Sequence, residues 1–136
     1  MSDKLHLSIV TPHGEVFSGE VDEVTATGSE GEFGVLPEHA PFITTLKAGL
    51  LSAANEGKKD YYFVSWGYAE VGPARVSILA DSAEHSDDID VARAMEAKAR
   101  AEEALRHEDT EHFAAAEAAL ERAAARIHVA QILGHK

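Results

Sequence analysis

The chain contains no cysteine, four prolines, one tryptophan, and 12 basic residues against 24 acidic ones among its 136. Without cysteine there is no disulfide framework and no thiol chemistry. A formal net charge of −12 argues against nucleic-acid binding, which needs a basic face, and favours solubility and a basic partner. No apolar run approaches the ~18 residues of a membrane span, and Met1-Ser2-Asp3-Lys4 lacks the apolar core of a signal peptide. The expectation is a cytoplasmic protein that reaches a membrane only by holding something that spans it. Catalytic and metal motifs are missing as well. Gly28, Gly31 and Gly34 are spaced three apart, which is not the G-x-G-x-x-G dinucleotide pattern, and they read as turn or bulge glycines. His107 and His112 are five apart, so they miss the H-E-x-x-H zinc spacing. The serines have no nucleophile-elbow context.

What is present changes character at Ser86-Asp87-Asp88-Ile89-Asp90-Val91-Ala92-Arg93-Ala94. Before it, apolar and polar residues alternate and glycine and proline recur. After it there is no proline, and no glycine until Gly134. A period of two gives way to one of about 3.6, the change from strand to helix. Ser86, Asp87 and Asp88 supply acceptors for a helix N-terminus, and Asp90 then falls in a first turn favourable to negative charge. The reading is a β-sandwich or barrel over residues 1–85 and an antiparallel two-helix hairpin over 86–136.

Within the β module, strands are expected over Leu5 to Ile9, Glu15 to Phe17, Val21 to Thr27, Ile43 to Leu46, Leu50 to Ala54, Tyr61 to Val64, Gly67 to Val71 and Val76 to Leu79. Ser18-Gly19, Asn55 to Lys59 and Gly72-Pro73 are the expected turns. Burial candidates are Leu5, Leu7, Ile9, Val21, Val24, Leu36, Ile43, Leu46, Leu50, Tyr62, Val64, Trp66, Ile78 and Leu79, enough for ~85 residues to fold alone. Helix one is expected from about Asp88 to about Arg106, and helix two from about Glu111 to about Leu133. His107 to Thr110 would connect them, Asp109 or Thr110 would cap the second, and Gly134 would stop it. Phe113, Leu120 and Ile127 repeat every seven residues, with Ala116, Ala123 and Ala130 between them, an a/d seam half made of alanine. Val91, Ala94 or Met95, Ala101 and Leu105 give helix one a similar, weaker side. A buried methyl contributes about 0.8 kcal/mol, while alanine has the best helix propensity. Such helices persist when they leave a weak contact, as a movable element requires.

Thr27 to Pro41, Gly67-Tyr68-Ala69-Glu70-Val71, Val76 to Asp81 and Asp90 to Lys98 together resemble, in order and spacing, the epsilon subunit of bacterial F-type ATP synthases. The resemblance covers essentially the whole chain. It implies a flattened β-sandwich and two C-terminal helices at the foot of the rotor of a proton-translocating synthase. The partners it implies are the gamma subunit and the ring of c subunits. The subunit would perform no chemistry and require no cofactor, and it would sit peripherally at the cytoplasmic face of the bacterial inner membrane. Its helices would fold down on the sandwich, or extend along gamma toward the alpha and beta subunits and block ATP hydrolysis. Ser29, Glu32 and His39 would face the c ring.

Some members bind ATP in the folded-down hairpin through an Ile/Leu-Asp-x-x-Arg-Ala motif, which reads here Ile89-Asp90-Val91-Ala92-Arg93-Ala94. Glu84, Arg100, Arg122 and Arg126 complete the set implied by the resemblance. Arg93 and Arg100 share one helix face and Arg122 and Arg126 another, and guanidinium groups suit phosphate oxygens. The plain alternative is surface ion pairing, with Asp90 to Arg93 and Glu96 to Arg100. It fails for Arg122, whose charged neighbour at helical spacing is Arg126. Glu38, where the family commonly has glycine, and Trp66, where it often has a small residue, depart from the pattern. A different class of function remains open from the residues alone: a free-standing ligand-binding β-sandwich dimerised by its helices.

Overall fold

The computed structural model describes residues 4–107 and 112–132. Eight strands come first: β1 (Leu5–Thr11), β2 (Gly14–Val21), β3 (Glu23–Gly28), β4 (Gly31–Val35), β5 (Phe42–Thr45), β6 (Gly49–Asn55), β7 (Lys58–Val71) and β8 (Arg75–His85). A 3-10 turn, Ser86–Asp88, leads into α1 (Val91–Leu105), and α2 (Phe113–Ile132) follows. The strands hydrogen-bond in the order β2-β1-β8-β7-β6-β3-β4, with β5 also on β7. All pairings are antiparallel except β1 with β8. The expected turn at Ser18-Gly19 is not one, because both residues lie inside β2, opposite Ser8 and Leu7.

β7 and β8 are the longest strands, and they serve both layers. The first half of β7 pairs with β6 and its second half with β5, while β8 continues to β1. Between the halves, Trp66 and Gly67 both have positive φ, 46° and 114°. The core-facing side of β7 changes there, from Tyr62 and Val64 to Ala69 and Val71. Two left-handed residues in succession have shifted the period-two alternation by one and turned the strand through a corner. Gly67 is obligatory at this point, since a Cβ would lie 1.9 Å from the Leu79 carbonyl oxygen. One core then draws on both layers, with Leu5, Leu7, Ile9 and Ile78 from one side meeting Val24, Leu51 and Val64 from the other. The β6–β7 turn is Glu56-Gly57, both with positive φ, as a two-residue hairpin requires.

Five burial candidates are not buried: Leu50 and Trp66 are half-buried, and three more are exposed. Leu36, Ile43 and Leu79 are 57%, 67% and 37% exposed. Ile43 and Leu79 lie with Tyr68 on one outer face, because Tyr68 pairs with Leu79 and Ile43 stands diagonally across β5.

The hairpin starts later than its polar residues suggest. Ser86, Asp87 and Asp88 make the 3-10 turn, capped by His85, whose Nδ1 accepts from the Asp87 N–H. Asp90 is the N-cap of α1 rather than a first-turn residue, and its Oδ1 accepts from the Arg93 N–H at 3.0 Å. The expected connector Glu108 to Thr110, the cap at Asp109 or Thr110, and the stop at Gly134 fall outside the described residues. α1 packs on α2, and α2 packs on β6, β7 and the 3-10 turn. Four alanines of the seam are buried as expected, Ala94 and Ala101 on one helix and Ala116 and Ala123 on the other, while Ala130 is half-buried and packs against the cluster on the sandwich side. The large residues are not buried: Met95 is 56% and Phe113 48% exposed. The contact with the sandwich is instead a small separate cluster of Phe63, Ile89 and Val129, and Val129 belongs to neither set of heptad positions.

Candidate functional site

A cavity of about 610 Å³ opens between the two helices and the end of β8. Its floor is alanine, from Ala97 and Ala101 on α1 to Ala116 and Ala119 on α2. Side chains this small cannot fill the gap between two helix axes, so the same composition that weakens the seam creates the room. The volume lies within the roughly 300–1,000 Å³ of small-molecule sites.

The polar rim is where the sequence motif falls. Glu84, Asp90, Arg93, Ala94, Arg100, Arg122 and Arg126 all line the cavity. Ile89 does not; it is 8% exposed and packs behind the wall with Phe63 and Val129. The ion pairs of the alternative reading, Asp90 to Arg93 and Glu96 to Arg100, do not form in α1. Asp90 spends its carboxylate on the backbone, and neither Arg93 nor Arg100 pairs with a carboxylate among the described residues.

The two α2 arginines differ in what holds them. Arg126 Nε–H donates to Glu84 Oε1 at 2.6 Å, with both side chains about two-thirds buried, and its guanidinium lies 4.4 Å from the centre of the Phe63 ring. Arg122 has no carboxylate partner among the described residues; its guanidinium lies 5.3 Å from the centre of the Trp66 ring. The rim therefore carries three guanidinium groups whose charge no described carboxylate neutralises, on a protein whose net charge is −12. Guanidinium groups so placed suit the oxygens of an anion. Phe63 and Trp66 escaped the site reading from sequence, since an aromatic strand residue gives no hint of an arginine above it. His112 also lines the cavity, a residue the sequence reading dismissed along with the zinc motif. The described residues hold no metal-ligating cluster.

The second group of expected residues lies in the β3–β4 turn, on β4 and just before β5. Ser29 sits in the β3–β4 turn, where its N–H donates to the Thr45 carbonyl at 2.9 Å and its hydroxyl meets Thr45 Oγ1. The His39 ring packs 5.3 Å from that of Phe42 and its Nδ1 bonds the Ala40 carbonyl. Ser29 thus meets the end of β5 at Thr45, and His39 its start at Phe42. Glu32 stands on β4 opposite Thr27, exposed.

Comparison with known proteins gives the same answer at three levels. The family model for the β-sandwich domain of the ATP synthase delta/epsilon chain matches residues 4–86, and that for its long α-helix domain matches residues 87–131. The ATP synthase epsilon chain of Geotalea uraniireducens is 51% identical over 96% of both chains, and that of Geotalea daltonii 48% identical over the whole of both. The epsilon chain of Nitratidesulfovibrio vulgaris is 51% identical over 95% of this chain and 97% of its own. Among solved structures, a chain in the cryo-EM structure of the Euglena gracilis mitochondrial ATP synthase (OSCP/F1/c-ring, rotational state 1) matches with a TM-score of 0.83 at 25% identity, covering all of this chain and 84% of that one.

Proposed function

This chain belongs to the ATP synthase delta/epsilon family, as an epsilon subunit of the F-type central stalk, and on that premise we propose that its helical hairpin is a regulatory arm held down by ATP. The observation that carries the proposal is the cavity rimmed by Arg93, Arg100 and Arg122, three cations without a carboxylate partner among the described residues. A triphosphate placed there satisfies all three and bridges α1 to α2. Glu84 and Asp90 serve as positioning groups, the first on Arg126 and the second on the start of α1. Neither Glu84 nor Asp90 is needed for chemistry, and the reading is of a non-catalytic coupling and regulatory subunit.

Residues 1–85 are the docking body in this reading and 86–136 the arm. The outer-face patch of Ile43, Tyr68 and Leu79 is the apolar surface offered to the gamma subunit, and Ser29, Glu32 and His39 mark the edge offered to the c ring. Raised from the body, the arm extends along gamma toward the alpha and beta subunits and obstructs ATP hydrolysis. No described helix is long and apolar enough to cross a membrane. In this reading the chain is held at the cytoplasmic face of the inner membrane through the ring.

Ligand that binds only the docked form stabilises it by mass action, about 2.7 kcal/mol at a hundred times Kd. Millimolar ATP is expected to raise the melting temperature of the full chain, and Arg93→Ala to abolish the rise. A wild-type melting curve unmoved by ATP removes the nucleotide reading and leaves membership of the stalk intact.

A further inference from the structure

Trp66 is the single tryptophan of the chain, and its backbone is left-handed, with φ 46°. That region is strained for a bulky residue, and glycine adopts it freely. Strain at an identifiable residue persists where the surroundings hold it in place, and it concentrates at ligand clamps and switch regions. Here the consequence is directional. Regular strand geometry would point residue 66 into the sandwich core, on the side of Val64. The left-handed turn instead brings the half-buried indole out under α2, with the Arg122 guanidinium over its face.

The two arginines of α2 thus stand on two rings of β7, one turn of helix above residues 63 and 66 of the strand. Arg126 is charge-matched by Glu84 and belongs to the attachment of the helix. Among the described residues Arg122 has the ring alone, which confines a long side chain and leaves its N–H groups unspent there. A flexible arginine loses rotamer freedom when it clamps an anion, and one already stacked has less to lose.

We propose that Trp66 is a positioning residue for anion binding: the strained corner of the sandwich presents an indole that holds Arg122 at the cavity rim. The proposal rests on the nucleotide reading above and deepens it, because it makes the β body, and not the hairpin alone, a determinant of nucleotide affinity.

The test is ATP titration by calorimetry on the full chain, with Trp66→Ala, Trp66→Phe, Arg122→Ala and the Trp66→Ala/Arg122→Ala double variant, each checked for fold by circular dichroism. Loss of a cation–π contact predicts binding about three- to tenfold weaker in Trp66→Ala. Trp66→Phe is expected to recover most of the loss, and Trp66→Ala to add none once Arg122 is gone. Without nucleotide, Arg122→Ala is expected to move the Trp66 emission to longer wavelength as the ring loses its cover. Affinities of Trp66→Ala and Trp66→Phe within twofold of wild type overturn the proposal. So does an equal loss from Trp66→Ala with and without Arg122, because the ring then acts on the fold and not through the arginine. An Arg122→Ala emission spectrum identical to wild type overturns the contact itself. Wild type that binds no ATP is a distinct result, which removes the nucleotide reading first and this proposal with it.

Discussion

Tyr62 shows how one residue ties the sandwich to pH. It is 4% exposed, and its ring meets those of Phe17 at 5.9 Å and His85 at 5.1 Å. Burial, followed by the nearby Asp60 carboxylate, pushes its hydroxyl up to about 12. The unfolded chain ionises a tyrosine near pH 10. The folded state therefore favours the neutral phenol. Its contribution is complete below about pH 10 and is lost as pH rises toward 12. Tyr62→Phe, which keeps the ring and removes the titrating group, is expected to flatten the decline in urea midpoint between pH 10 and 12 relative to wild type. A decline of unchanged steepness assigns the loss to other groups.

Among the elements, α2 is the one that decides the arm's position, since it lies on β6 and β7 while α1 packs on it from outside. The apolar part of that attachment is small. Val129 and Phe63 are fully buried and Ile89 nearly so, each worth about 1.5–3 kcal/mol. A carboxylate placed among them gives up its hydration and competes with Glu84 for Arg126, whose guanidinium already lies against Phe63, at a cost of several kcal/mol. Val129→Asp is therefore expected to free both helices while the sandwich melts as before. Hydrogen exchange should show protection lost in α1 and α2 and kept in β1 and β8. Loss of protection throughout would mean the arm is part of one cooperative core.

The elements differ in how readable they were. Leu5, Leu7 and Ile9 alternate, and all are fully buried, so the strand was plain from its period. The switch of period near residue 86 likewise fixed the two parts. The corner at Trp66-Gly67 was not readable, because it sets a bulky residue against its backbone preference and depends on strands distant in sequence. The heptad reading found the buried alanines and overrated Phe113. Heptads describe a helix with one partner, and α2 has two, α1 on one side and the sheet on the other. Arg93 was legible through the motif and Arg100, Arg122 and Arg126 through the family resemblance; the rings beneath two of them, Phe63 and Trp66, were not.

For the whole molecule, the main apolar cluster is built from residues 5–83 alone, and helix side chains enter only the second, smaller one. Residues 1–85 are expected to fold alone, with a far-ultraviolet spectrum of β type and a cooperative melt. They are also expected to bind the gamma subunit as tightly as the full chain does. Tyr68→Glu places a charge in the outer-face patch, where Tyr68 is 46% exposed, so its expected effect on folding is slight and its effect on gamma binding is a loss of tenfold or more. An unfolded fragment would contradict the division into parts, and unimpaired binding by Tyr68→Glu would contradict the docking face.

Under the proposed function, lifting the arm has a consequence for what it leaves behind. Phe63, dry while α2 is down, is wetted at once, the indole beside it loses its cover, and Glu84 is stripped of its counter-charge. The vacated bed is greasy at its centre and negative at its margin. An upright arm thus leaves an unhealed patch on the body that draws it back, unless the place the helices travel to rewards them more.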